Sequence, residues 1–207
     1  MRRARALTAL LLALVLLFSV FTMTSCDRSY DRDEVIEAAR ELLPTARMLY
    51  SVYYGNGISY ISSGYSDGDY READFVHLDK LGFSTIHELK EISYSTFSYD
   101  YCQSIFSNYL ESYEADNTVY NYARYVQVDN EASYILVYKD HNPVFEDRMT
   151  YHLDTVTDVR SVKDFVRMTV EVTVDDGEGN SRRTTLTFSL YEEDSGWRIA
   201  SPCFANY

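Results

Sequence analysis

Phe165-Val166-Arg167-Met168-Thr169-Val170-Glu171-Val172-Thr173-Val174-Asp175 is the stretch on which the fold turns. Val166, Met168, Val170, Val172 and Val174 fall on one face of an extended chain, and Arg167, Thr169, Glu171 and Thr173 fall on the other. Strict period-two alternation of this kind predicts an antiparallel strand with one face in a core and one in water. Downstream, Asp175 to Asn180 is turn-rich, Leu186, Phe188 and Leu190 alternate with Thr and Ser, and Asp194-Ser195-Gly196 leads into Trp197-Arg198-Ile199. Upstream, Tyr122 to Val128 and Ser133 to Lys139 flank Asp129-Asn130-Glu131 as a hairpin, and Leu153 to Val162 alternates more weakly.

Before residue 120 the period is helical. Asp31 or Asp33 can cap a helix whose apolar positions are Val35, Ala38, Leu42, Ala46, Leu49 and Tyr53. Pro44 lies inside it and predicts a kink or two consecutive helices, because proline has no N–H to donate. Gly55-Asn56-Gly57 ends the run, and residues 55–83, with five of the eight glycines, read as loop with short strands near Ile58 to Ile61 and Tyr70 to Leu78. Thr85 with Glu88 makes a capping box, and Ser98 begins a second short helix through Cys102, Ile105 and Phe106. Helices first and hairpins last predict an α+β domain, with N-terminal helices on a bent antiparallel sheet of about four to six strands.

The first 26 residues have a separate logic. Arg2, Arg3 and Arg5 precede an uncharged apolar run from Ala6 to Met23, and Thr24-Ser25-Cys26 closes it, which is a secretory signal followed at once by a cysteine. Met23-Thr24-Ser25-Cys26 resembles a bacterial lipobox, with Met23 where the family usually has Leu. The resemblance implies cleavage between Ser25 and Cys26 and lipidation of Cys26, hence an anchor on the extracytoplasmic face of a bacterial membrane. The chain then divides into a signal (1–25), a lipidated Cys and tether (26–33) and a single domain (34–207).

The whole chain of 207 residues carries 19 basic and 32 acidic side chains. Removing residues 1–25 takes away three Arg and no acid, which leaves 16 basic against 32 acidic residues and a formal charge of −16. Such a surface excludes nucleic acid as a partner, repels anionic lipids and wall polymers, and favours a cationic partner. At 46% hydrophobic and 25% charged residues the chain is too apolar to be disordered. Cys102 and Cys203 remain after processing; a disulfide between them would close a loop of about 100 residues and add ~2–4 kcal/mol, and two buried thiols fit the sequence equally.

The helix pair followed by strands ending in Gly196-Trp197-Arg198-Ile199-Ala200-Ser201-Pro202 resembles nuclear-transport-factor-two-like and cystatin-like domains. That resemblance implies a cone-shaped fold. A narrower likeness, to secreted inhibitors of cell-wall endopeptidases, rests on the helix ending at Tyr50 to Gly57, the Thr85 to Phe106 helices and the last hairpin. Folds of this kind host enzymes, ligand binders and interaction modules alike.

No catalytic set can be assembled from local spacing. Gly64-Tyr65-Ser66-Asp67-Gly68 matches G-x-S-x-G but lies in a Ser/Gly/Asp-rich loop instead of a strand-to-helix turn. Cys102 sits among Tyr99, Tyr101, Ile105 and Phe106, an apolar setting that raises a thiol pKa. His77, His87, His141 and His152 show no metal-ligand pairing, so neither metal nor cofactor is expected. Tyrosine stands out instead: all 20 lie after Cys26, and Tyr50, Tyr53, Tyr54, Tyr60, Tyr65 and Tyr70 crowd the helix end and the following loop. Flanked by Asp67, Asp69 and Glu72, they read as candidate contacts for a surface protein or wall component, as in a module that inhibits a wall hydrolase. The alternatives are a peptide or glycan bound in the cone of the sheet, or a hydrolase-like or isomerase-like enzyme using the same cleft.

Overall fold

A computed structural model describes residues 30–115, 118–128, 134–141, 143, 148–175 and 178–204. The signal segment, Ser25, Cys26 and the turn at Asp129 to Glu131 lie outside the described residues, as does part of the Asp175 to Asn180 turn. Helix α1 (Arg32–Tyr53) starts with the Asp31 side chain accepting from Asp33 N at 2.9 Å. It contains Pro44 and continues through it as one helix, so of the two outcomes expected there, a kink or two consecutive helices, the second does not form. Pro44 is solvent-exposed, so the missing hydrogen bond and the ring sit on the side of the helix that packs against nothing. The buried stripe is Val35, Ala39, Leu43, Ala46, Leu49, Tyr50, Val52 and Tyr53, slightly rotated from the sequence reading.

A hairpin of β1 (Ser66–Asp67) and β2 (Tyr70–Glu72) follows, then α2 (Phe75–Leu81), α3 (Ile86–Thr96) and α4 (Tyr99–Tyr109). Residues 75–78, expected as strand, are helical because the Asp74 carboxylate caps Val76 N and Gly82 closes the helix in the left-handed region. The Thr85–Glu88 capping box forms in both directions. Ser98 begins α4, but its side chain makes no cap hydrogen bond.

The strands divide between two four-stranded antiparallel sheets. The first has the order β1-β2-β6-β5, with β5 at Tyr125–Val128 and β6 at Tyr134–Tyr138. The second, β10-β9-β8-β7, comprises β7 (Met149–Val162), β8 (Phe165–Asp175), β9 (Ser181–Glu193) and β10 (Gly196–Ile199). A short ribbon of β3 (Tyr113–Ala115) and β4 (Thr118–Asn121) completes the strands. The class is α+β, as the change of period predicts. Register shifts between His152 and Val156, and again before Asp158, give β7 extra residues opposite β8 and bend the second sheet there.

Val166, Met168, Val170, Val172 and Val174 all point inward, with Phe188, Leu190 and Ile199 beside them. The stripe of α1 shares this core. Each fully buried aliphatic side chain of this row contributes roughly 1.5–3 kcal/mol relative to leaving it exposed. Tyr30 meets the Trp197 ring edge-on at 5.1 Å, and Trp197 Nε1 donates to Glu34 Oε1 at 3.0 Å, so the start of α1 is fastened to β10. No helix among the described residues is long and apolar enough to cross a membrane.

Candidate functional site

The six tyrosines grouped by sequence separate into two environments. Tyr50 and Tyr53 are fully buried and cannot touch a partner. They lie on the core stripe of α1, three residues apart, where helical spacing turns both inward. The Tyr50 hydroxyl accepts from Cys203 N at 3.2 Å and lies 3.4 Å from Cys203 Sγ and from the Tyr101 hydroxyl. The Tyr53 hydroxyl is 2.9 Å from Ser93 Oγ. Burial pushes the pKa of both well above the ordinary phenol value. Tyr54 is half-buried against Tyr109 at 4.9 Å and Phe204 at 5.3 Å. Burial removes Tyr50 and Tyr53 from the expected contact surface, whereas Tyr54 keeps part of its surface exposed.

Tyr60 and Tyr65 are exposed, at 44% and 52%. Tyr70 is half-buried and donates its hydroxyl proton to the Ala123 carbonyl at 2.7 Å. Strand pairing then brings in residues the sequence reading did not single out. Tyr70 lies opposite Tyr138 across β2 and β6, with ring centroids 5.4 Å apart. Tyr122, 47% exposed, also stacks on Tyr138, at 5.1 Å and 11°. At the other end of β6, Tyr134 packs against Tyr65 at 5.6 Å. Tyr134 and Tyr138 share one face of β6, and four residues at ~3.3 Å each place the two ring groups about 13 Å apart. The first sheet thus carries two aromatic clusters, Tyr65 with Tyr134 and Tyr70 with Tyr122 and Tyr138.

The acidic flank is partly committed to structure. Asp69 pairs with Lys139 at 2.8 Å, and this hydrogen bond and charge hold its carboxyl below the usual range. Glu72 Oε2 accepts from Tyr65 N at 2.9 Å and so orients the aromatic loop. Asp67 remains exposed. The face therefore has the character of an aromatic platform with modest local charge.

A knot of hydrogen bonds holds this sheet to α1. The guanidinium of buried Arg124 donates to the carbonyls of Tyr53 and Gly55, each at 2.6 Å. The Tyr125 hydroxyl donates to the Val52 carbonyl at 2.6 Å and accepts from Ile58 N at 3.2 Å. Gly57 sits beneath them at φ +72°, where a Cβ would overlap the Arg124 guanidinium and the Tyr125 hydroxyl. A lone Arg between Ala123 and Tyr125 carries no local signal of this role, because its acceptors lie 69 and 71 residues away.

The remaining chemistry-bearing residues are placed as follows. Ser66 belongs to an exposed hairpin strand that turns at Gly68, φ +54°, and leads into no helix, so the geometry of a nucleophile elbow is absent. Cys102 and Cys203 are buried free thiols, both pushed up to about 12 by desolvation. His77 Nδ1 accepts from Ser59 N at 2.8 Å, and His152 Nε2 lies 2.7 Å from Thr173 Oγ1. Among the described residues no group of three or more His, Cys, Asp or Glu is placed to hold a metal ion. Compared with known proteins, the chain matches no family model, no curated protein and no solved structure.

Proposed function

We propose that this chain is a lipid-anchored, extracytoplasmic binding module that docks a cell-surface protein through the tyrosine face of its first sheet. The observation that carries the reading is the paired aromatic array, Tyr65 with Tyr134 and Tyr70 with Tyr138 and Tyr122, of which Tyr65 and Tyr122 are openly exposed. Tyrosine supplies rigid contact area at low entropic cost together with a hydroxyl that tolerates water when unbound. The lipobox-like segment ending at Cys26 supports a surface location, and a formal charge of −16 on the processed chain favours a cationic partner such as a basic wall hydrolase held inactive.

Two experiments test the proposal. Replacing Cys26 by Ser should move the protein from the membrane fraction to the soluble one, and unchanged retention would remove the anchor. A photo-crosslinking residue placed at position 65 or 122 in cells should capture a discrete surface protein, whereas the same group at Glu41, exposed on α1, should not. Equal labelling from all three positions would overturn the docking face. Capture of wall glycan would shift the reading to carbohydrate stacking on the same rings.

A further inference from the structure

A second surface, distant in sequence from the tyrosine face, has the chemistry of a cation-binding groove. It has a volume of about 390 Å³ and lies where the first turn of α4 meets the β7–β8 turn and the end of β9. Its walls include Tyr99 and Asp100 from α4, Asp164 from the β7–β8 turn, Phe165 from the start of β8, and Tyr191 and Glu193 from β9. Tyr99 is 59% and Phe165 41% exposed, large values for rings on a folded surface. Both rings are held in place: Tyr99 stacks on Tyr94 at 5.8 Å and 8°, and Phe165 packs on Tyr191 at 5.4 Å.

The three carboxylates are not equivalent. Glu193 serves the fold, accepting from Tyr99 N at 3.3 Å and lying 3.9 Å from Arg198 Nε. Arg198 is itself committed to the carbonyls of Tyr94 and Trp197 and to Ser195 Oγ. Asp100 and Asp164 are exposed and have no partner among the described residues. Lys163, next to Asp164 at φ +57°, does not line the groove. Two uncompensated carboxylates from different elements therefore face a space walled by fixed aromatic rings.

We propose that this groove binds a lysine- or arginine-bearing segment of a partner protein. Carboxylates at the rim would take the cationic head, and the ring faces would take the aliphatic stem and add cation–π attraction. Charge complementarity selects this occupant over the alternatives. A second copy of this chain brings another large negative charge, and an anionic bilayer is repelled for the same reason. The site is independent of the tyrosine face, so either can fail without the other.

The test uses the full-length lipidated chain in nanodiscs of zwitterionic lipid, with tri-lysine peptide as probe and tri-glutamate as control, followed by calorimetry. Tri-lysine should bind at least tenfold more tightly than tri-glutamate. Asp100→Asn with Asp164→Asn should weaken tri-lysine at least tenfold, and Tyr99→Ala with Phe165→Ala should weaken it several-fold. Asp67→Asn with Asp79→Asn removes the same charge elsewhere on the surface and should change binding by less than twofold, as should Tyr65→Ser with Tyr122→Ser. Equal loss from both Asp pairs would show diffuse attraction to an acidic protein and overturn the site. So would undiminished binding to the Asp100/Asp164 variant, or no detectable tri-lysine binding at low salt.

Discussion

Removing the Arg124 guanidinium tests how the tyrosine face is held. A helix C-terminus leaves carbonyls without intrahelical donors and carries the negative end of the helix dipole. No basic residue lies in the last turn of α1, so Arg124 supplies the missing donors across 71 and 69 residues of chain, to Tyr53 and Gly55. The group is 3% exposed, and burial depresses its pKa, which measures what it costs to hold the charge there. Each hydrogen bond from a charged donor contributes ~1.5–3 kcal/mol. Arg124→Met would forfeit two of these and leave both carbonyls unpaired, while recovering part of the desolvation cost, including that of the unpartnered Nε. The expected net loss is about 2–4 kcal/mol, a large share of the ~5–15 kcal/mol typical of a folded domain. Arg124→Lys can satisfy one carbonyl but lacks the planar fork, so a loss of about 1–2 kcal/mol is expected. Urea unfolding followed by far-UV circular dichroism measures both. Because Ala123 receives the Tyr70 hydroxyl, the Met variant should also speed amide exchange in β2 and β6. Variants within 0.5 kcal/mol of wild type, or uniform exchange across both sheets, would refute the role given to this residue.

Three further outcomes are expected. His141 is held neutral by burial and then by nearby Arg124, with its pKa lowered to about 4. Its folded value lies below the unfolded one, so the unfolded state binds the proton first and stability falls as pH drops from about 6.5 towards 4; discounted for partial exposure, the loss is about 1–2 kcal/mol, and His141→Gln should flatten that part of the profile in urea titrations at stepped pH. Gly57→Ala combines a left-handed backbone with overlap onto Arg124 and Tyr125 and should lower the unfolding free energy by about 2–4 kcal/mol, whereas Gly68→Ala, with open space around it, should cost only the backbone strain. In the Cys26→Ser chain, Cys102 and Cys203 should resist a thiol reagent at pH 8 when folded and titrate as two thiols on unfolding without reductant; finding none would mean they are bonded.

Where a local rule acted alone, the sequence could be read directly. The alternation from Val166 to Val174 and the Thr85–Glu88 box appear as expected, and of the two capping candidates Asp31 and Asp33 the first is the cap, because each depends on residues within one element. The division into two sheets was not legible, since it depends on β2 pairing with β6 across the three intervening helices. Tyrosine was the hardest residue to place. Its ring suits a core and its hydroxyl a surface, so Tyr53 and Tyr65 look alike in sequence and are separated only by which side of an element each occupies. The acid-aromatic groove escaped for a related reason: Asp100, Asp164 and Tyr191 come from three elements and form no motif along the chain.

Chain length and helix geometry limit where the proposed contacts can act. The chain is fastened to the domain from Tyr30 onward, through Trp197, so only four residue steps separate Cys26 from a fixed point. At no more than ~3.6 Å per residue that link reaches about 14 Å, roughly the depth of a head-group layer plus a little water. An acylated Cys26 would therefore hold the start of α1 close to the bilayer. The 22 residues of α1 rise ~1.5 Å each, about 33 Å in all, before Arg124 joins the far end of the helix to the first sheet. The tyrosine face is thus attached at the end of α1 opposite Tyr30. If Cys26 is acylated, the strongly acidic domain would be repelled by an anionic bilayer and would gain by standing its long helix away from the surface. In that posture the aromatic platform would be offered to proteins in the wall space, and the proposed lipid would limit the search to a thin layer above the membrane.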